Sequence, residues 1–122
     1  MILLLTNDLF FVPIIRSAAE KLNSSVLTAR NLHDKKLTEE VRDDVQCCIV
    51  DLSSISLADL PVIFEGTSQM PNCHAKIAFG SHVHKVRLDT ASEVGFSPVL
   101  TKGQLCEHAL RYLSQWLEIQ VT

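Results

Sequence analysis

No apolar run in this chain approaches the roughly 20 residues that a membrane-spanning helix needs. The first one, Met1-Ile2-Leu3-Leu4-Leu5, stops at Thr6-Asn7-Asp8. It follows no Lys or Arg, is too short for a secretion-signal core and lacks a cleavage pattern, so a soluble, cytoplasmic protein is expected. Positive charge is not in excess either: 11 Lys and Arg against 14 Asp and Glu give a net charge of −3. Without a basic face, direct binding to nucleic acid is not expected. Four cysteines, at 47, 48, 73 and 106, form no C-x-x-C pair. That speaks against a disulfide framework and for free, mostly buried thiols in a reducing compartment. Glycine is scarce, and no glycine-rich phosphate loop follows the first apolar run. There is no internal repeat, low-complexity tract or linker.

What remains is an ordinary globular composition, 47% hydrophobic over 122 residues, enough for one domain with a real core. Short apolar runs alternate with amphipathic ones. Ile2–Leu5, Val26–Ala29, Val45–Val50, Ala75–Phe79 and Val99-Leu100 read as strands. Between the first two, Phe11-Val12, Ile14-Ile15, Ala18-Ala19 and Leu22 recur at helical spacing. Pro13 is tolerable there only in the first turn, which starts that helix around Phe10 to Val12. Leu37 and Val41 mark a short second helix. Asp59-Leu60-Pro61 looks like an N-cap followed by proline near the first helical position. Val83 to Val94 is helical in pattern and closes on Gly95. Leu105, Ala109, Leu113 and Leu117 form an i, i+4 stripe on one last helix, broadened by Leu110, Tyr112 and Trp116; for the two aromatics burial is the expected fate. Strand–helix alternation five times over predicts a doubly wound parallel sheet with helices on both faces.

Such sheets keep their chemistry at the carboxyl edge. Three runs end there in charged groups: the first at Asn7-Asp8, the third at Asp51, the fifth at Lys102. Asp51 closes the apolar run Cys47-Cys48-Ile49-Val50 and precedes Leu52-Ser53-Ser54. Two acids and a lysine at equivalent strand ends form a candidate site.

Over its whole length the chain resembles the receiver domains of bacterial response regulators. The residues that carry the resemblance are Asn7-Asp8 after strand 1, Asp51 after strand 3, Ser81 (or Gly80) after strand 4, and Lys102 in GFSPVLTKGQL. The resemblance implies the flavodoxin-like strand order 2-1-3-4-5. It implies Asp51 as phosphoacceptor and a Mg²⁺ held by Asp8, Asp51 and the Ser53 carbonyl, with Asn7 in support. Lys102 and Ser81 would contact the phosphoryl group. It further implies a sensor histidine kinase or phosphotransfer protein as donor. A downstream protein partner would meet the face of helix 4, strand 5 and helix 5, and a homodimer is compatible. No catalysed turnover beyond self-phosphorylation is implied.

The chain also departs from the pattern. Asn7 replaces one acid, Val99 stands where receivers carry an aromatic switch residue, Ser54-Ile55 replaces methionine-proline, and Gly103 follows Lys102 where a proline and its cis peptide are usual. The expected function is therefore an atypical stand-alone receiver. Two alternatives stay open: a pseudo-receiver that is never phosphorylated, and a small flavodoxin-like enzyme or ligand-binding protein. Cys73-His74 and His82-x-His84 carry zinc-type donors, but their spacing matches no established zinc pattern. Phe10-Phe11, beside Asp8, reads as core.

Overall fold

A computed structural model describes residues 1–118. Its strands are β1 (Ile2–Leu5), β2 (Val26–Ala29), β3 (Cys47–Asp51), β4 (Ala75–Gly80) and β5 (Val99–Thr101). All four neighbouring pairs are parallel, in the order β2-β1-β3-β4-β5. The helices are α1 (Val12–Lys21), α2 (Glu39–Asp44), α3 (Leu60–Ser68), α4 (Lys85–Val94), α5 (Lys102–Glu107) and α6 (Ala109–Trp116). Among the described residues no helix is long and apolar enough to cross a membrane.

The core lies on both faces of the sheet because its central strands are apolar at nearly every position, Lys76 near the start of β4 and Asp51 at the end of β3 apart. Successive side chains on a strand point to opposite faces. On one face Ile2, Leu4, Cys47, Ile49, Ile77 and Phe79 meet α1, α5 and α6 through Ile15, Leu105 and Leu113. On the other, Leu3, Leu5, Cys48, Val50 and Ala78 meet α3 and α4 through Leu60, Ile63 and Ala91. The adjacent cysteines thus enter different cores, and all four are free thiols. Burial pushes the Cys47 and Cys48 thiols well up, which leaves them inert.

Several local expectations change. The last helix is two: His108 (φ −125°, ψ 28°) interrupts it between α5 and α6. Leu105, Ala109, Leu113 and Leu117 nevertheless stay buried on one side, so the stripe survives the break. Asp59 holds the N-cap position of α3, with Pro61 in the first turn as expected, but it does not cap the helix. It has helical backbone angles at the end of a 3-10 turn (Leu57–Asp59), and its side chain makes no capping bond. Helix α4 begins at Lys85, two residues later than its pattern suggests, after a turn over residues 81–84. Phe11 is core, stacked on Phe79 with ring centroids 4.5 Å apart, whereas Phe10 is 93% exposed. Trp116 is buried and stacks on the half-buried Tyr112.

Candidate functional site

Asp51 ends β3 and is 2% exposed, so burying its polar side chain costs free energy unless hydrogen bonds offset it. It receives four. Oδ1 accepts the Ser53 N–H (3.0 Å) and the Ser53 hydroxyl (2.6 Å). Oδ2 accepts the Thr6 hydroxyl (2.7 Å) and the Ser54 hydroxyl (3.0 Å). A carboxylate offers about four lone-pair directions, and here each is used.

Register explains the choice of Thr6. Leu5 pairs with Val50, so the next residue along β1 stands level with Asp51. That residue is Thr6, buried like its partner, and not either member of Asn7-Asp8. Its hydroxyl also accepts the Asp8 N–H (2.9 Å), while the Asn7 N–H donates to Ser54 Oγ (2.9 Å). The loops after β1 and β3 are therefore tied through one carboxylate. Thr6 and Ser54 are the site residues that the sequence reading missed; polar residues flush with a buried strand-end acid were the available signal.

Asp8 is turned to a different partner. Its Oδ2 accepts from Lys102 Nζ at 2.6 Å and its Oδ1 accepts the Phe10 N–H at 3.0 Å. Lys102 also lies 5.6 Å from the centre of the Phe11 ring. It is the first residue of α5, fixed by a capping box: Thr101 Oγ1 accepts the Gln104 N–H (3.2 Å), and Gln104 Oε1 accepts the Thr101 N–H (2.9 Å). That Thr-x-x-Gln signature was legible in the sequence. Gly103 follows, and the cis peptide bond among the described residues is Ser97–Pro98, not the one after Lys102.

The hydrogen bond from Lys102 holds the Asp8 carboxyl below its ordinary range, against desolvation and helped by the Phe10 N–H. The same bond holds Lys102 above its ordinary value. A depressed carboxyl contributes stability that is present above its unfolded pKa and lost as pH falls through the folded one. A raised lysine contributes stability that is present below its unfolded pKa and lost as pH rises through the folded one. The pair should thus be fully intact between the ordinary carboxylate and lysine values, roughly pH 4 to 10, and be lost only as pH falls through the depressed Asp8 value or rises through the raised Lys102 value. Carbon-detected NMR titration of Asp8 and Lys102 checks this, and Asp8→Asn should return Lys102 to an ordinary titration. Both groups are accessible, so salt screens the effect.

Ser81 makes no hydrogen bond to Asp51. Its hydroxyl accepts the Val83 N–H (3.4 Å) and its carbonyl accepts the His84 N–H (3.0 Å), so it builds the turn before α4. Gly80 ends β4 against Leu52; a Cβ there would lie 3.3 Å from that side chain's own Cβ. His82 and His84 are exposed. The carbonyls that follow Asp51 are instead met from α4: Arg87 Nη1 donates to Leu52 O (2.9 Å) and Ile55 O (3.1 Å). Arg87 is half-buried and joins the β3–α3 loop to α4. Arg87→Met should cost about 1–2 kcal/mol in chemical denaturation, because it keeps the apolar stem and removes two charge-assisted bonds.

The donor set does not fit Mg²⁺ as it stands. Mg²⁺ needs free oxygen lone pairs from more than one group. Both Asp51 oxygens accept hydrogen bonds, and Asp8 is committed to Lys102 and the Phe10 N–H, which leaves the Ser53 carbonyl alone of the expected ligands without a hydrogen bond competing for it. Among the described residues no three His, Cys, Asp or Glu side chains converge on a metal-sized site.

No family model matches the chain, and no curated protein matches it in sequence. Solved structures do match. The receiver domain of NtrX from Brucella abortus superposes with a TM-score of 0.74 at 13% identity, covering 98% of this chain and 100% of that one. A response regulator from Thermotoga maritima gives 0.71 at 17% identity, with 96% of each chain covered. An atypical orphan response regulator, described as revealing a phosphorylation-independent regulatory mechanism, gives 0.71 at 11% identity over 99% and 98%. Strand order, helix placement and coverage agree: this chain has the flavodoxin-like fold of the response-regulator receiver domains.

Proposed function

We propose that the protein is a receiver-like signalling module of the pseudo-receiver kind. It acts by binding a protein partner, and Asp51 serves as the hydrogen-bonded hub of the carboxyl edge, not as a phosphoacceptor. One observation carries this reading: four donors occupy the four lone-pair directions of Asp51. Attack on phosphorus requires a free lone pair on that carboxylate and cationic neutralisation of the incoming charge. Here the lone pairs are engaged, and the nearest lysine is paired with Asp8. The module is a binding protein by this account and catalyses no turnover. Its output surface is the face of α4, β5 and α5, which Arg87 links to the Asp51 loop, and self-association through that face is compatible with the reading.

A second reading has an observation in its favour. Lys102 feels the charge of Asp51 as well as that of Asp8, so an acid, a lysine and a second acid share one edge. In that reading Asp51 would take a phosphoryl group from a histidine kinase or phosphotransfer protein, and Asp8, Asp51 and the Ser53 carbonyl would hold a Mg²⁺ that supplies the neutralising charge. Beryllofluoride with Mg²⁺ separates the two. The hub reading expects amide shifts no different from those of the Asp51→Asn control. Shifts at Thr6, Ser53 and Ser54 that need both reagents and vanish in the control would establish the phosphoacceptor.

A further inference from the structure

A cavity of about 370 Å³ opens beside the Asp51 hub, lined by residues of the loops after β1, β2 and β3 and by α3. In a sheet ordered 2-1-3-4-5 the chain reverses its winding between β1 and β3, and ligands of open α/β sheets bind outside the strand ends at that point. The volume stands at the lower end of small-molecule sites, which excludes a large nucleotide cofactor and suits a compact ligand.

One wall is apolar, made by Leu32, Ile55, Val62 and Ile63, and Val62 is 63% exposed without covering a core. Two opposite charges line the same cavity, Arg30 and Asp59. Neither has work elsewhere. The Asp59 carboxylate does not cap α3, and among the described residues Arg30 makes no side-chain hydrogen bond or ion pair. They do not pair with each other. The surroundings are held in place: Asn31 Oδ1 accepts the His33 N–H (2.8 Å), and Arg42 Nη2 donates to Leu32 O (2.6 Å). Arg87 fixes the Ile55 carbonyl from behind. The backbone around the pocket is braced, and the exposed Arg30 and Asp59 side chains are free to meet a ligand that carries the complementary charges and an apolar group for the wall.

We propose that this cavity binds a small zwitterion with an apolar side chain, the chemistry of a free α-amino acid. Arg30 takes the carboxylate, for which its planar fork is suited, Asp59 takes the ammonium, and the side chain lies against Val62 and Ile55. The inference does not rest on the role of Asp51. Ser54, however, lines the cavity and touches Asp51, so occupancy would be felt at the hub.

The test is amide NMR of the full chain with L-leucine and L-phenylalanine. N-acetyl-L-leucine and L-leucinamide serve as probes lacking one charge each. The amino acids should give saturable shifts at Arg30, Asn31, His33, Ser54 and Val62, and each single-charge analogue should bind about tenfold more weakly or worse. Arg30→Gln and Asp59→Asn should each weaken leucine binding by about tenfold, whereas Arg16→Gln on the exposed side of α1 should not. The same spectra report whether each variant is folded. Absence of saturable shifts at tens of millimolar, shifts centred elsewhere, or analogues that bind as well as leucine would overturn the proposal.

Discussion

Asp51→Asn should destabilise the protein by about 2 kcal/mol and Asp51→Ala by about 3 kcal/mol, read as a lower urea midpoint at unchanged slope. The reasoning starts from the donors. Three hydroxyls and one backbone N–H are aimed at the carboxylate, and Thr6 is itself buried. Removing the acceptor leaves that buried hydroxyl without its acceptor, since its other bond is the one it accepts from the Asp8 N–H. Asn keeps the volume but replaces one acceptor oxygen with a donor, so donors then face a donor. The sign is the informative part. A carboxylate kept for chemistry among other acids is a strained group whose neutralisation raises stability. A carboxylate that ties two loops together does the reverse. A midpoint that rises in Asp51→Asn would therefore speak for the phosphoacceptor.

The second large effect lies away from the site. Gly95 closes α4 with φ +129°, a conformation that side chains rarely adopt. A Cβ there would also sit 2.7 Å from Cζ of Phe64, whose ring packs edge-on against Phe96 at 5.3 Å. Phe96 is buried, so the ring pair has little room to retreat. Backbone strain and overpacking each cost on the order of 1–3 kcal/mol, which puts Gly95→Ala at about 4 kcal/mol. Thermal unfolding should show a midpoint lower by roughly 10 °C or more. Phe64→Leu in the same chain should recover part of the loss, because it removes the collision and not the backbone strain. Full recovery would mean that φ carries no strain.

The strands were legible because a buried parallel sheet writes itself as short apolar runs, whereas their order followed from the family resemblance. Ile2–Leu5 and Val26–Ala29 have the bounds that their patterns suggest, and Cys47 and Cys48 point to opposite cores as alternation requires. Asp51 was legible for the same reason: a charge that ends such a run must sit at the edge. The contents of the edge were less so. Whether Thr6, Asn7 or Asp8 faces Asp51 depends on a register of one residue, and pattern alone does not resolve one residue. Arg87 was invisible because its partners are carbonyls 35 and 32 positions away, which no side-chain pattern records. The break at His108 escaped notice because a single non-helical residue left the apolar stripe in phase. Asp59 misled for a related reason. A residue with cap chemistry before Leu60-Pro61 fits an N-cap, but the 3-10 turn ahead of it had already supplied the entry to α3.

These corrections bear on one point, the state of the Asp51 carboxylate. Mg²⁺ titration of the uniformly ¹⁵N-labelled protein, followed at the amides of Thr6, Ser53 and Ser54, tests it most directly. If the four hydrogen bonds fill the carboxylate, these amides show no saturable shift on adding Mg²⁺ in the millimolar range, in the native protein as in Asp51→Asn. A saturable Mg²⁺-dependent shift at these three positions, absent from Asp51→Asn, would contradict the hub and restore Asp51 as a metal-assisted phosphoacceptor.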